Sequence, residues 1–381
     1  MSEWQEFLIE DLAEFCNAKR VPLSSMQRQQ LQGSYPYYGA SGIVDYINDY
    51  IFEGSHILIS EDGENLKSRN TPIAFEASGK FWVNNHAHIL KAKEPHLTKI
   101  LIHYFAQLDL TPYLTGAVQP KLNKATLSKI PLYLPSSTAE QKAIASVLSS
   151  LDDKIDLLHR QNKTLEAMAE TLFRQWFIEE AKEDWEDKQL GTLLTVKRGG
   201  SPRPIQDYLS DSGYCWLKIS DVTSLNSPFV FNIKEHIKEE GLSKTTLLQA
   251  GKLVLSNSAT PAIPKILMVD TCIHDGWLHF PVSTYSNEYL YLLFNHIRPE
   301  LLQLGNGSIF TNLKTDILKE YVVKHPDEAS LLKFQTVIEP IFTKLLENAK
   351  QIQTLEKLRD MLLPKLMSGE VRVQYQTEEV A

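Results

Sequence analysis

Two long stretches of the chain carry apolar side chains at alternating intervals of four and three residues. The first stretch begins at Ile144 and ends at Trp176, and the second runs from Phe334 to Leu366. This spacing keeps one face of an α-helix against a partner, as in a coiled coil. Each stretch therefore predicts a long helix with a continuous seam. The positions of the first seam are Ile144, Leu148, Leu151, Ile155, Leu158, Asn162, Leu165, Ala169, Leu172 and Trp176.

The two seams belong to an internal repeat. The segment KIDLLHRQNKTLEAMAETLFRQWF (154–177) aligns with KLLENAKQIQTLEKLRDMLLPKLM (344–367) at an offset of 190 residues. A repeat of this length indicates a duplicated architecture. The sequence thus predicts a globular segment, a helix, a second globular segment and a second helix. The predicted boundaries are 1–135, 136–183, 184–326, 327–369 and a tail at 370–381.

Two such seams in one chain are expected to bury each other. If a pseudo-two-fold axis relates the halves, the helices run antiparallel and Asn162 lies opposite Asn348. A buried asparagine pair fixes the register of a helix pair at some cost in stability. The remaining alternative is that each helix packs on a separate subunit.

The globular segments contain short β-branched or aromatic runs between Gly, Pro and Asn turns. Examples are SHILIS (55–60) and GYCWLKISDV (213–222). Runs of this kind predict strands. With the helices they predict an α+β protein, in which two mixed α/β domains are separated by two long antiparallel coiled-coil helices.

The charge and cysteine content narrow the function classes. The formal net charge is −8, which alone argues against nucleic acid, but residues 136–184 carry ten acidic and six basic residues. The acidity is thus concentrated in predicted helices, and the globular segments retain room for basic faces. Three cysteines without a CxxC motif suggest a reducing, cytoplasmic location. No apolar run is long enough to cross a membrane.

Four groups of motifs resemble the DNA-specificity subunit of type I restriction–modification enzymes, and together they cover nearly the whole chain. The first group is YPYYGASGIVDYINDYIFEG (35–54) with ILISEDG (57–63) and FWVNNHAHIL (81–90). The others are RGGSPRP (198–204) with YCWLKISDV (214–222), GKLVLSNSATPAIPK (251–265), and residues 140–177 from EQKAIASV to RQWF.

The resemblance implies two target recognition domains, 1–135 and 184–326, that each read one half of a bipartite asymmetric DNA target. It implies that the two conserved spacer helices, 136–183 and 327–369, dock two methyltransferase (modification) subunits. Restriction (motor and nuclease) subunits complete such an enzyme. The chain itself is expected to be non-catalytic and without a metal or cofactor, while S-adenosylmethionine, ATP and Mg are expected on partner subunits.

The sequence contains neither the Asn/Asp-Pro-Pro-aromatic motif of DNA-adenine methyltransferases nor the GxxxxGK[ST] motif of a motor. Two alternatives remain. One is a coiled-coil adaptor without a DNA-reading role, and the other is the specificity subunit of a modification-only methyltransferase.

Candidate DNA contacts in the first globular segment lie in polar turns, where side chains reach base edges or phosphates. A structural role competes for three of them: Tyr37 in a hairpin core, His86 as a structural residue or as a metal ligand with His88, and Lys121 in a hinge. The candidates are Tyr37, Ser41, Lys67, Arg69, Asn85, His86 and Lys121.

The second globular segment has the most basic loop of the chain, VKRGGSPRP (196–204). The backbone N–H groups of Gly199 and Gly200 are additional candidates for holding a phosphate. Strand ends contribute further polar residues. The candidates are Lys197, Arg198, Ser201, Arg203, Lys218 and Asn257.

Overall fold

The computed structural model describes residues 3–116, 119–305 and 312–374. The chain divides into two compact units: residues 1–156 together with 354–381, and residues 157–353. We call them the first and the second unit. Each unit combines one globular segment with portions of both long helices. The predicted tail, 370–381, is described only as far as residue 374.

The described part of the first unit contains two four-stranded sheets and a two-stranded pair. Their orders are β2-β9-β6-β7, β4-β3-β8-β5 and β1-β10. The strands are β1 (Trp4–Leu8), β2 (Ala13–Phe15), β3 (Gln32–Gly39), β4 (Gly42–Ile47), β5 (Phe52–Glu53), β6 (His56–Ser60), β7 (Ala74–Ala77), β8 (Lys80–Val83), β9 (Ala87–Ala92) and β10 (Pro131–Pro135).

The described part of the second unit contains two five-stranded sheets and a two-stranded pair. Their orders are β12-β21-β18-β19-β15, β13-β16-β14-β20-β17 and β11-β22. The strands are β11 (Glu186–Gln189), β12 (Lys197–Arg198), β13 (Leu209–Ser210), β14 (Tyr214–Leu217), β15 (Phe229–Val230), β16 (Glu235–Ile237), β17 (Thr246–Leu248), β18 (Leu253–Ser256), β19 (Pro264–Leu267), β20 (Thr271–Ile273), β21 (Trp277–His279) and β22 (Val322–His325).

Helices lie between the strands along the chain, and two long helices follow the globular segments. Those of the first segment are α1 (Ile9–Leu12), α2 (Ser25–Gln30), α3 (Asn65–Ser68), α4 (Pro95–Gln107) and α5 (Lys124–Ser128). The long helix α6 (Thr138–Arg174) follows and continues as a π-helical turn, Gln175–Glu179. The remaining helices are α7 (Leu190–Leu193), α8 (Ser220–Thr223), α9 (Asn287–Gly305), α10 (Thr315–Glu320) and α11 (Glu328–Ser368).

Central strands are buried because both of their faces are covered. Every residue of β6 and of β18 is buried, and such strands are apolar throughout rather than alternating. In the first unit α4 places Leu97, Leu101 and Phe105 in the same apolar cluster as Ile57 of β6. The core therefore lies between sheet and helix, and the loops at the strand ends stay available to solvent.

Within the first unit, the start of α6 packs on the end of α11. Ile144 and Leu148 share a buried cluster with Leu363 and Leu366. Beside this cluster, Arg359 Nη1 lies 3.4 Å from Asp152 Oδ1, and Asp152 Oδ2 lies 2.8 Å from His103 Nε2.

Within the second unit, the end of α6 packs on the start of α11. Asn348 Nδ2 donates to Asn162 Oδ1 at 2.9 Å, and Asn162 Nδ2 donates to the Leu345 carbonyl at 3.4 Å. Nearer the ends of these segments, the rings of Trp176 and Phe334 lie 5.6 Å apart. The helices thus run antiparallel with the predicted asparagine pair in contact. Among the described residues, no helix is both long and apolar enough to cross a membrane.

Candidate nucleic-acid interface

In the first unit, hydrogen bonds join four turns at one end of the sheets. Ser60 Oγ donates to the Ala40 carbonyl at 2.6 Å, which ties β6 to the β3–β4 turn. The Glu61 N–H donates to the His86 carbonyl at 2.9 Å, and the Leu122 N–H donates to the Glu61 carbonyl at 2.8 Å. The structure therefore brings together four exposed candidates: Ser41, Asn85, His86 and Lys121.

Acidic side chains organise the charges of this end of the first unit. Glu61 lies 2.5 Å from Arg20 Nη1 and 3.4 Å from Lys121 Nζ, and Asp62 lies 2.9 Å from His86 Nδ1. Burial raises the pKa of Glu61, but the Arg20 hydrogen bond and the nearby positive charges outweigh it and lower this pKa overall. The carboxylate therefore stays ionised and holds two cations in place.

His88 is a structural residue, unlike its exposed neighbour His86. The His88 side chain is 1% exposed. Its Nε2–H donates to the Leu122 carbonyl at 2.7 Å, and its Nδ1 accepts from Asn17 Nδ2 at 2.8 Å. Both ring nitrogens are engaged, so the alternative of a metal site formed with His86 is wrong.

Two predicted contacts of the first unit are corrected. Tyr37 is 1% exposed, and its hydroxyl accepts from the Leu23 N–H at 3.0 Å, so the packed alternative holds and the DNA-contact prediction is wrong. Arg69 donates to the carbonyls of Phe105 and Leu108, at 2.5 and 2.6 Å. It satisfies the open C-terminal carbonyls of α4, which otherwise lack intrahelical partners. Its guanidinium is thus committed to the fold, while Lys67 on α3 remains exposed.

In the second unit, Asp275 binds three side chains of β12 and the basic loop that follows it. Its Oδ1 accepts from Ser201 Oγ at 2.7 Å, and its Oδ2 lies 3.1 Å from Arg203 Nη2. The Asp275 carbonyl accepts from Nε and Nη2 of Arg198, at 3.2 and 2.7 Å. Three of the predicted residues therefore meet at one loop, and Lys197 stays exposed beside them on β12.

The other two predictions for the second unit differ in outcome. Lys218 forms an ion pair with Glu235 and keeps 43% of its side chain exposed. Asn257 is 3% exposed, and its Nδ2 donates to the Asp275 carbonyl at 3.3 Å. A side chain so deeply buried has no surface for DNA, so the prediction for Asn257 is wrong. It supports the loop from beneath.

The Gly199–Gly200 pair does not form the predicted phosphate site. The Gly199 N–H donates to the Trp277 carbonyl at 3.0 Å, and the Gly200 N–H donates to the Ile273 carbonyl at 3.1 Å. A Cβ at Gly199 would lie 2.4 Å from the His274 carbonyl oxygen. Gly199 is required because the loop passes against the backbone of the β20–β21 turn, and a Cβ at Gly200 would lie 2.7 Å from the Lys244 carbonyl oxygen.

A cleft of about 500 Å³ opens beside the basic loop. Trp216 and Ile205 form its apolar wall, and Arg203, Lys218, Glu235 and His274 supply its polar rim. His274 Nδ1 accepts from the Gly276 N–H at 2.8 Å. Burial lowers the pKa of His274, so the ring is neutral near pH 7 and fixes the β20–β21 turn.

Sequence reasoning missed the residues that hold both clusters: Glu61 and Arg20 in the first unit and Asp275 in the second. An Asp-Gly pair between two strand-like runs is a hairpin signal, and it would have placed Asp275 at a turn. Its partner Arg203 is 72 positions away in the chain. Only the folded sheet shows which cations such a carboxylate meets.

Comparison with protein families agrees with the repeat. The model of the type I restriction modification DNA specificity domain matches residues 1–167 and again residues 182–358. The match thus covers both globular segments and most of both long helices.

Individual proteins are also similar to this chain. It is 25% identical to the specificity subunit of the type I restriction enzyme MjaIX from Methanocaldococcus jannaschii, over 98% of this chain and 94% of that protein. It is 38% identical to the putative type I restriction enzyme specificity subunit S.HindORF215P from Haemophilus influenzae, over 39% of this chain and 37% of that protein. The crystal structure of a type I restriction–modification S subunit from M. genitalium matches with a TM-score of 0.61 at 14% identity, over 96% of each chain, which shows the same fold.

Proposed function

Because this chain belongs to the type I restriction modification DNA specificity family, we propose that it reads a bipartite asymmetric DNA target with one unit on each half-site. One observation carries the proposal. Both units place a cluster of polar and basic side chains beside the turn between two matching strands, β8–β9 in the first and β20–β21 in the second.

The composition of the two clusters suits double-stranded DNA. Arginine and lysine side chains bind phosphates and guanine edges, and serine and asparagine donate to or accept from other base edges. The first cluster contains Ser41, Asn85, His86 and Lys121, while the second contains Lys197, Arg198, Ser201 and Arg203. Different side chains at matching turns are what two unlike half-sites require.

The paired helices α6 and α11 act in this proposal as a spacer and as the docking site for two methyltransferase subunits. Half-sites about 34–36 Å apart face one side of B-DNA, and the first seam spans about 48 Å at the helical rise per residue. The methyltransferase partners bind S-adenosylmethionine and take the target adenine out of the stack. Restriction subunits that use ATP and Mg join the complex. In this proposal, the chain itself is non-catalytic and works in the cytoplasm.

The test compares two triple variants in the assembled methyltransferase. Lys197, Arg198 and Arg203 are replaced by alanine in one. Lys234, Lys252 and Lys324, exposed lysines of the same unit outside the cluster, are replaced in the control. Sequencing of methylated adenines in host DNA gives the target motif of each enzyme.

We expect the first variant to relax one half-site and keep the other, and the control to retain the wild-type motif. Binding of the wild-type complex to its target should weaken steeply with salt, because phosphate contacts release counterions. Equal loss at both half-sites, or a flat salt response, would contradict the proposal.

A further inference from the structure

Asp275 is the centre of the polar cluster in the second unit. Its carboxylate binds Ser201 through one oxygen and Arg203 through the other, at 2.7 and 3.1 Å. Its carbonyl binds Arg198 and Asn257. One residue thus connects four side chains from β12, the following loop and the end of β18.

The bonds to Asp275 leave part of each guanidinium outside the cluster. Arg198 uses Nε and Nη2, and Arg203 uses Nη2. The Arg203 side chain is 79% exposed, so its other N–H groups face solvent. Arg198 is thus held along its Nε–Nη2 edge and Arg203 through Nη2 alone. Each contact restricts the orientations of its guanidinium, which then loses less rotamer entropy when it binds.

The platform beneath Asp275 is rigid. The Gly276 N–H is bonded to His274 Nδ1, and the Asn257 N–H donates to the Gly276 carbonyl at 2.8 Å. The hydrogen bond from Ser201 and the charge of Arg203 lower the pKa of the Asp275 carboxyl. The carboxylate therefore remains ionised under physiological conditions and keeps its hold on Arg203.

We propose that Asp275 is a positioning residue that presents Arg203 to a guanine in the half-site read by the second unit. The inference rests on the proposed function. Guanine is the base that offers two acceptors, O6 and N7, to an arginine fork in the major groove. An arginine already restricted by a carboxylate loses less rotamer freedom when it meets them.

The first unit has no such carboxylate at the matching turn. Asn85 occupies the position there, because Ala87 lies opposite Ser60 just as Trp277 lies opposite Ser256. The Asn85 carbonyl accepts from Arg20 at 3.3 Å, as the Asp275 carbonyl accepts from Arg198. Its neutral amide, however, cannot form an ion pair. The carboxylate-held arginine at this turn is therefore a feature of the second unit, and the proposed guanine contact concerns its half-site.

The test uses the full chain assembled with its methyltransferase subunits and a fluorescent duplex carrying the motif from methylome sequencing. Each base pair of the motif is replaced in turn, and the dissociation constant is measured for wild type, Asp275→Asn, Asp275→Glu, Arg203→Ala and the control Asp211→Asn. Asp211 is an exposed carboxylate of the same unit.

Wild type and Asp211→Asn should lose roughly 5- to 150-fold in affinity when one particular guanine is replaced, the range of one bidentate base contact. Arg203→Ala should lose the discrimination at this guanine and keep the discrimination at the other base pairs of the motif. Asp275→Asn should lose most of it, while Asp275→Glu, which keeps the charge, should recover part. The salt slope of Asp275→Asn should match that of wild type, because the number of cations is unchanged.

Several results would overturn the inference. One is an unchanged base profile in Asp275→Asn, and another is a uniform loss across both half-sites in a variant with wild-type circular dichroism and melting temperature. If Asp275→Asn fails to fold, Arg203→Ala decides, since an exposed side chain can be removed without loss of core. A wild-type complex without bipartite specificity would instead refute the proposed function itself.

Discussion

The two units share one strand scheme and differ in the side chains at its edge. In the first unit β3 pairs antiparallel with β4 and parallel with β8, and β8 pairs antiparallel with β5. In the second unit β14 pairs antiparallel with β16 and parallel with β20, and β20 pairs antiparallel with β17. The globular sequences hardly align, so the scheme is carried by strand order rather than by particular residues.

The charge at the edge is organised differently in the two units. The first unit uses Glu61, whose carboxylate contacts Arg20 and Lys121. The second uses Asp275, which follows β20 rather than β6 and contacts Arg203. A common framework with independent loops lets each unit change its DNA preference without loss of its core. Three changes of decreasing size test how far this independence extends.

The largest effect is expected from Phe334→Ala. Phe334 is 1% exposed, and its ring centre lies 4.8 Å from that of Phe177 and 5.6 Å from that of Trp176. Truncation of a buried phenylalanine costs about 3–5 kcal/mol of unfolding free energy. Hydrogen exchange measured by mass spectrometry should show lost protection in the second unit.

The matched change in the first unit is Ile144→Ala, at the equivalent seam position. It should lower protection in the first unit. If both variants lower protection equally in both units, the two units unfold as one cooperative body, and a change in one framework is not confined to its own unit.

A smaller effect is expected from Arg69→Ala. Arg69 donates to two carbonyls at the end of α4, and a hydrogen bond from a charged group contributes about 1.5–3 kcal/mol. We expect a loss of this size in urea denaturation with an unchanged DNA motif. Arg203→Ala should show the opposite behaviour: a stability change within about 0.5 kcal/mol and an altered motif. If both variants lost the same stability and changed the motif in the same way, Arg69 could not be called a framework residue and Arg203 a DNA contact.

The smallest effect concerns acid. Burial lowers the pKa of His88, although the Leu122 carbonyl and Glu61 favour the charged ring and Arg20 and Lys121 oppose it. The unfolded chain therefore binds the additional proton first, as the pH falls below about 6.5. The contribution of His88 to stability is complete above that pH and is lost on acidification, at no more than about 1.4 kcal/mol per pH unit.

His88→Leu sharpens this prediction, because the second unit has Leu278 at the same register position. The variant should be less stable at pH 7, since Asn17 and Leu122 lose their partner. Its unfolding free energy should also depend less on pH between 5 and 7. Some dependence should remain, because burial also lowers the pKa of His274 and His279. An unchanged slope would mean that His88 does not contribute to the acid sensitivity.

The long helices could be predicted from sequence alone, and the loop contacts could not. The seam from Ile144 to Trp176 repeats over many turns, so a local period already implies a partner face. The antiparallel order and the Asn162–Asn348 contact follow from the repeat. For Tyr37 and Arg69, the residue type was compatible with DNA, but burial and the end of α4 assign both to the fold.

The sequence by itself determined the family, the two-segment organisation, the helix pair and the location of the basic loop in the second unit. These features depend on periodicity, repeats and motifs, which are properties of neighbouring residues. The tertiary structure alone decided that Asp275 holds Arg203 and that Glu61 holds Arg20. Such partners are brought together by strand pairing across many tens of residues, and hydrogen bonds depend on distances that no local pattern contains.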